Sequence, residues 1–152
     1  MWGDRDSEVT VLDRADCLAL LSRVSVGRIG ASIEALPVIL PVHFALFEES
    51  VLFRTIPGTR LDAASIGAVI AFQADAYEPR EGSGWSVLLQ GIPTPVDTGP
   101  GDVMARSVPI TPWVHGPRDQ RLVRLEATTI SGRRFRIAGE GPAAEFPDPP
   151  SL

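Results

Sequence analysis

The longest stretch of this chain that repeats its apolar residues at helical spacing is short: Cys17, Leu18, Leu20, Leu21 and Val24, just behind Asp13. Elsewhere the apolar runs are short and are cut by glycine and proline, 14 of each in 152 residues. That pattern narrows the fold. A doubly wound parallel sheet needs a long helix between successive strands, and the chain does not carry enough of them. Many short strands separated by Gly/Pro turns instead favour a barrel or a sandwich. The leading helix is predicted over 14–23. Asp13 is its N-cap, and Asp16, three residues on, comes close to a capping box. Cys17 falls on the apolar stripe and reads as a core residue.

VGRIGASI (26–33) and LPVILPVHFALF (36–47) read as strands, and Pro37 and Pro41 require the second to lie at an edge or to bulge. Residues 48–50 turn the chain back into VLFRT, giving a hairpin. TRLDAASI is a short amphipathic helix. AVIAFQADAY is the next strand, EPREGSG a loop, and WSVLLQGIPTPV a long strand interrupted by Gly91 and Pro93. TGPGDVMARS has room for a short helix, VPITPWVHGPRD is a Pro-rich loop, and RLVRLEATTI and GRRFRI supply two closing strands. The expected class is mainly β with short helices, in one domain over 12–137. A flexible N-terminus (1–11) precedes it. A Pro-rich tail (138–152) follows, either disordered or extended along a partner.

Several chemistries are excluded. The net charge of −5 argues against general nucleic-acid binding through a basic surface. Every basic residue is arginine, so no lysine Schiff base with pyridoxal phosphate can form. His43 and His115 are the only histidines and stand far apart, without a CxxC or HExxH, which argues against structural zinc. There is no GxSxG elbow, no GxGxxG and no P-loop. No apolar run approaches the roughly 20 residues of a membrane helix. One cysteine, and no basic and apolar leader at the N-terminus, make a reducing cytoplasm the expected compartment.

One anion-friendly stretch remains: FRTIPGTRL, residues 53–61, where a strand ends and a helix begins. It gathers Arg54, Thr55, Thr59 and Arg60. Free N–H groups at a helix start, two hydroxyls and two guanidinium groups are what a phosphate needs. Arg54 and Thr55 leave the strand on opposite faces, so only one of them serves a given ligand from its own subunit. The alternative is a capped helix with two solvated arginines. A second stretch, GWSVLLQG (84–91), brings Trp85 into a strand, as core or as the wall of a planar ligand, with Ser86 facing the other way.

The segments in order are a helix, VGRIG, PVILPVHF, a hairpin, FRTIPGTRL, AVIAFQAD, GWSVLLQG, then PW and ISGRRF. That order resembles the pyridoxamine 5′-phosphate oxidase-like flavoproteins, the FMN-binding split barrels, and is similar to their small actinobacterial members over about residues 12–137. The resemblance implies a six-stranded Greek-key split β-barrel. It implies a homodimer with FMN at the interface, and a flavin-dependent oxidoreductase taking a small-molecule substrate or electron donor. It implies a phosphate element of the T-x-x-x-S-R-K type after the hairpin, in which Thr55, Thr59 and Arg60 match and Leu61 stands where the lysine often is. It implies that Pro41, Val42 and His43 run along the flavin ring. Ser86 stands where a glutamine contacts flavin, and Trp85 replaces an arginine. ISGRRF matches the vitamin B6 substrate element poorly, which argues against B6 oxidation. Relatives of this barrel use the deazaflavin coenzyme or haem, and a non-enzymatic flavin-binding protein is a further alternative. The Pro-rich tail and Trp113 are placed near the partner and the groove.

Overall fold

A computed structural model describes residues 8–96 and 120–137. Along the chain these form β1 (Glu8–Leu12), α1 (Arg14–Leu21), β2 (Val26–Ile33), β3 (Leu36–Phe47), β4 (Ser50–Thr55), α2 (Arg60–Ala64), β5 (Ile70–Glu78), β6 (Ser83–Gly91), β7 (Pro93–Pro95), β8 (Arg121–Glu126) and β9 (Thr129–Arg136). All strand pairs are antiparallel, in the order β1-β9-β6-β5-β2-β3-β4-β8-β7.

The nine strands among the described residues are the six of the expected barrel plus the edge strand β1, once two bends are recognised. β6 and β7 together run opposite β8 and β9, from Ser83↔Arg136 to Pro95↔Val123. Both long strands bend at the same level, Gly91 and Ile92 facing Ala127 and Thr128. The Thr128 N–H donates to the Gln90 carbonyl at 2.8 Å across this corner. A Cβ on Gly91 would collide with the carbonyl of Glu126, so the corner needs glycine. The bend lets the same pair of strands reach β5 on one side and β4 on the other, which closes the ring. β2, β3 and β4 are a meander, and β5 returns to lie beside β2, which is a Greek key.

The barrel interior is the main core. Ile29, Val42, Phe44, Val51, Phe53, Phe72, Val87, Leu89, Val123 and Leu125 alternate inward along their strands. Phe44 meets Phe72 edge to face, ring centroids 4.7 Å apart. α1 covers one end with Cys17, Leu20 and Leu21. Asp13 caps it as expected, accepting from the Asp16 N–H at 2.8 Å. The helix is two residues shorter than predicted, because Ser22 is its C-cap and the Arg23 and Val24 N–H groups bond back in tighter turns.

Two differences from the sequence reading matter. Residues 8–11, placed in a flexible N-terminus, belong to β1, which pairs with β9 from Glu8↔Arg136 to Leu12↔Gly132. Backbone hydrogen bonding to β9 orders a segment whose own residues are mostly exposed. The second is the β2–β3 turn, made by Glu34 and Ala35 at φ 50° and 65°, in the left-handed region. Such turns favour Asn and Gly, and neither residue marks this one in the sequence. The β3–β4 turn has the same form at Glu48 and Glu49. The helix read into TGPGDVMARS, the Trp113 loop and the tail at 138–152 lie outside the described residues. No helix among the described residues is long and apolar enough to cross a membrane.

The prolines of β3 mark where the barrel splits. Leu36 to His43 pair with β2, whereas β4 pairs only with Phe44 to Phe47. The Phe44 N–H donates toward β2, to the Ser25 carbonyl at 2.9 Å. Even-numbered residues of β3 therefore bond β2, and Pro37, Ile39 and Pro41 turn their backbone groups to the other edge, where β4 has diverged. Two missing N–H groups cost nothing on that edge.

Candidate functional site

FRTIPGTRL forms the junction expected of it, but a residue beyond it organises the turn. Thr59 is the N-cap of α2, its hydroxyl accepting from the Asp62 N–H at 3.3 Å and donating to the Ile56 carbonyl at 2.7 Å. Gly58 takes φ +85°, which a residue with a Cβ adopts at a cost. Asp62 is buried. Its carboxylate accepts from the Thr55 hydroxyl at 3.0 Å, the Gly58 N–H at 3.2 Å and the Arg121 guanidinium at 2.8 Å. Thr55 and Arg121 are direct cross-strand partners on β4 and β8. Their side chains share the inward face, and both turn to the same carboxylate oxygen.

This corrects the sequence reading for the Thr55 hydroxyl and for the helix start, and bears out that Arg54 leaves β4 on the face opposite to Thr55. The Thr55 hydroxyl donates its one proton to Asp62, so it does not donate to an anion. Arg54 lies on the other face of β4, with Leu52 and opposite Leu122, so the guanidinium beside Thr55 is Arg121. α2 has five residues, and the Gly58, Thr59 and Asp62 N–H groups already bond within the turn, so its dipole adds little. Arg60, the first residue of α2, is exposed.

The remaining predicted residues divide by strand parity. Val42 and Trp85 point into the core, at 2% and 9% exposure. Trp85 is therefore a packing residue of the barrel wall, because its register with Ala76 and Arg134 places it on the inward row. Pro41, His43 and Ser86 face outward. There they join residues that were not singled out from the sequence. Arg28 lies directly across from Pro41 on one side and from Gln73 on the other. Its guanidinium donates to Gln73 at 3.3 Å and to Asp75 at 3.2 Å. The Gln73 amide donates to Asp75 at 2.9 Å and to the Ser86 hydroxyl at 3.1 Å. Arg28 and Asp75 also border an open hollow of about 510 Å³ beside Arg23, Ser25 and Val26.

Cys17 stays inert. Burial, and then the carboxylates of Asp13 and Asp16, push its thiol above the ordinary value, which keeps it protonated at neutral pH.

Of the residues missed, Asp62 had a signal: Thr59-x-x-Asp62 is a capping-box spacing. Arg121 had none. It meets Asp62 59 positions later in the chain, through the pairing of β8 with β4.

The pyridoxamine 5′-phosphate oxidase family profile matches residues 13–134. The chain belongs to the pyridoxamine 5′-phosphate oxidase-like family. It is 33% identical over 133 residues to Rv0080 of Mycobacterium tuberculosis, covering 84% of this chain and 86% of that one. Among solved structures it is similar to the FAD binding protein from Mycobacterium smegmatis, at 33% identity and a TM-score of 0.73, covering 86% of this chain and all of that one. A FAD-binding protein from Mesorhizobium loti superposes with a TM-score of 0.71 at 17% identity, over 86% of this chain and 99% of that one, a likeness of fold. The split barrel of this family is thus the fold of this chain, as its segment order implied.

Proposed function

We propose that this chain binds a flavin nucleotide, FMN in the first reading, between the barrels of a homodimer, and acts as a flavin-dependent oxidoreductase on a small-molecule donor or substrate. The observation that carries the reading is the β4–α2 turn, fixed by Asp62 where β3 and β4 part. A nucleotide phosphate needs cationic donors there, and Arg60 and Arg121 supply them. The open edge of β3 fits the ring system. It offers the carbonyls of Pro37, Ile39 and Pro41 and the N–H of Ile39, and a flavin ring carries both donors and acceptors.

The flavin, when bound, supplies the hydride or electron transfer. The chain's own residues bind and orient it: Arg60 and Arg121 at the phosphate, the β3 edge along the ring, and Pro41, His43 and Ser86 on the outward face. No side chain is assigned as acid or base. The dimer is supported by apolar residues at the split edge: Leu36 is 65% and Ile39 76% exposed. A second copy over this edge removes them from water.

FAD is a second reading, favoured by one observation: the Mycobacterium smegmatis relative at 33% identity is named for FAD. The test is the visible spectrum of the purified protein, before and after addition of FMN and removal of the excess. Flavin bands that stay with the protein support the proposal, and extracting and chromatographing the cofactor separates FMN from FAD. A Soret band points to haem. A colourless protein that ignores both flavins overturns the reading and moves the question to the deazaflavin coenzyme. Tight flavin binding without turnover of any donor leaves a flavin-binding protein that is not an enzyme.

A further inference from the structure

We propose that Arg121 is an anion-binding residue of the β4–α2 turn and that Asp62 is the residue that aims it. The anion is a phosphate group of the bound nucleotide, so the inference rests on the flavin reading above.

The argument starts from where the charges sit. The Asp62 side chain is 8% exposed and the Arg121 side chain 36%. The carboxylate thus faces the barrel, and the guanidinium reaches the surface. Asp62 is held from three directions, by Thr55, Gly58 and Arg121. Arg121 grips it through Nη1, and a guanidinium has further N–H donors in a fixed fork. A fork already held in place loses little freedom on binding, and its geometry matches two oxygens of a phosphate. The pair therefore acts as a fixed dipole with its positive end outward.

Arg121, rather than Arg54, supplies the guanidinium on the Thr55 side of β4. Arg54 departs on the far face of β4, whereas Arg121 lies beside Thr55 and reaches across to α2. Arg60 opens that same helix, two residues before Asp62. Two arginines therefore flank the turn, one from the adjacent helix and one from a strand distant in sequence. Asp62 does not contact the phosphate in this scheme; it is a positioning residue.

The alternative is that the ion pair only pins α2 to the barrel. The two roles separate in one experiment: fluorescence titration of the full chain with FMN and with riboflavin, which lacks the phosphate. Arg121→Gln should weaken FMN by roughly tenfold to a hundredfold, the loss of a charge-assisted contact, and leave riboflavin unchanged. Equal FMN affinity in the folded variant overturns the proposal, as does an equal loss for both ligands. Arg121→Gln leaves the Asp62 carboxylate short of a partner, so the double variant Asp62→Asn/Arg121→Gln guards against misfolding. The amide that replaces the carboxylate keeps one acceptor for the Gly58 N–H, and its NH2 can donate to the Thr55 hydroxyl oxygen, so both groups keep a partner and the same selective loss is expected. If the wild-type chain binds neither flavin, the flavin reading falls and the anion site is tested alone. Inorganic pyrophosphate should then shift the Arg121 Nε–H resonance in a titration followed by NMR, and no shift overturns the proposal.

Discussion

Arg121–Asp62 and Arg28–Asp75 are the same pair of side chains in two settings. The first has an oxygen–nitrogen distance of 2.8 Å and a carboxylate 8% exposed; the second has 3.2 Å and both side chains nearly half exposed. In the first, the carboxylate also holds a buried threonine hydroxyl and a turn amide, so one residue joins β4, α2 and β8. In the second, Arg28, Gln73, Asp75 and Ser86 form a chain of bonds across β2, β5 and β6, strands already joined by their backbones. The lesson is that an ion pair matters by what it encloses and connects. An exposed pair is worth about 0–1 kcal/mol, because water competes for both charges. A buried carboxylate that loses its partners, or partners that lose it, cost several times more.

The comparison is open to direct attack. Asp62→Ala should cost about 3 kcal/mol of unfolding free energy in urea, since it strands the Thr55 hydroxyl and frees the turn. A loss below about 1 kcal/mol would erase the distinction between the pairs. Thr55→Val removes one of the three donors and should cost about 1–2 kcal/mol by the same assay. As a control remote from both pairs, Ala35→Gly relieves a left-handed residue and should raise stability by about 1 kcal/mol, read as a higher urea midpoint with an unchanged slope. Arg28→Ala should change least, under about 1 kcal/mol, and the difference should vanish in about 1 M salt. The effect of Asp62→Ala should survive that salt; its disappearance would show that the enclosed pair is screened like the open one.

Much of the fold was legible in the residues. Asp13 announced α1 by capping, the short runs VGRIGASI and VLFRT announced β2 and β4, and the prolines of LPVILPVHFALF announced an edge or a bulge. These are local effects, decided within a few residues by side-chain hydrogen bonds, by period two and by a missing N–H. The bend at Gly91 was visible as an interruption, but not as the corner that closes the barrel. The β2–β3 turn was invisible, because glutamate and alanine do not advertise left-handed backbone. Of the turn, the Thr59 cap and the helix start at Arg60 were legible because capping is a local property. Strand alternation already separated Arg54 from Thr55, but it left open which guanidinium stands beside Thr55.

By itself, then, the sequence determined a mainly β chain with one leading helix, a proline-marked strand at an edge or a bulge, and a strand-to-helix turn that gathers arginines and hydroxyls. Only the tertiary structure decided what that turn contains. The pairing of β4 with β8 delivers Arg121 to Asp62, and the inward face of β4 delivers Thr55 to the same carboxylate. Such a cluster depends on register between strands far apart in the chain, and no local pattern of residues encodes which distant side chain arrives opposite.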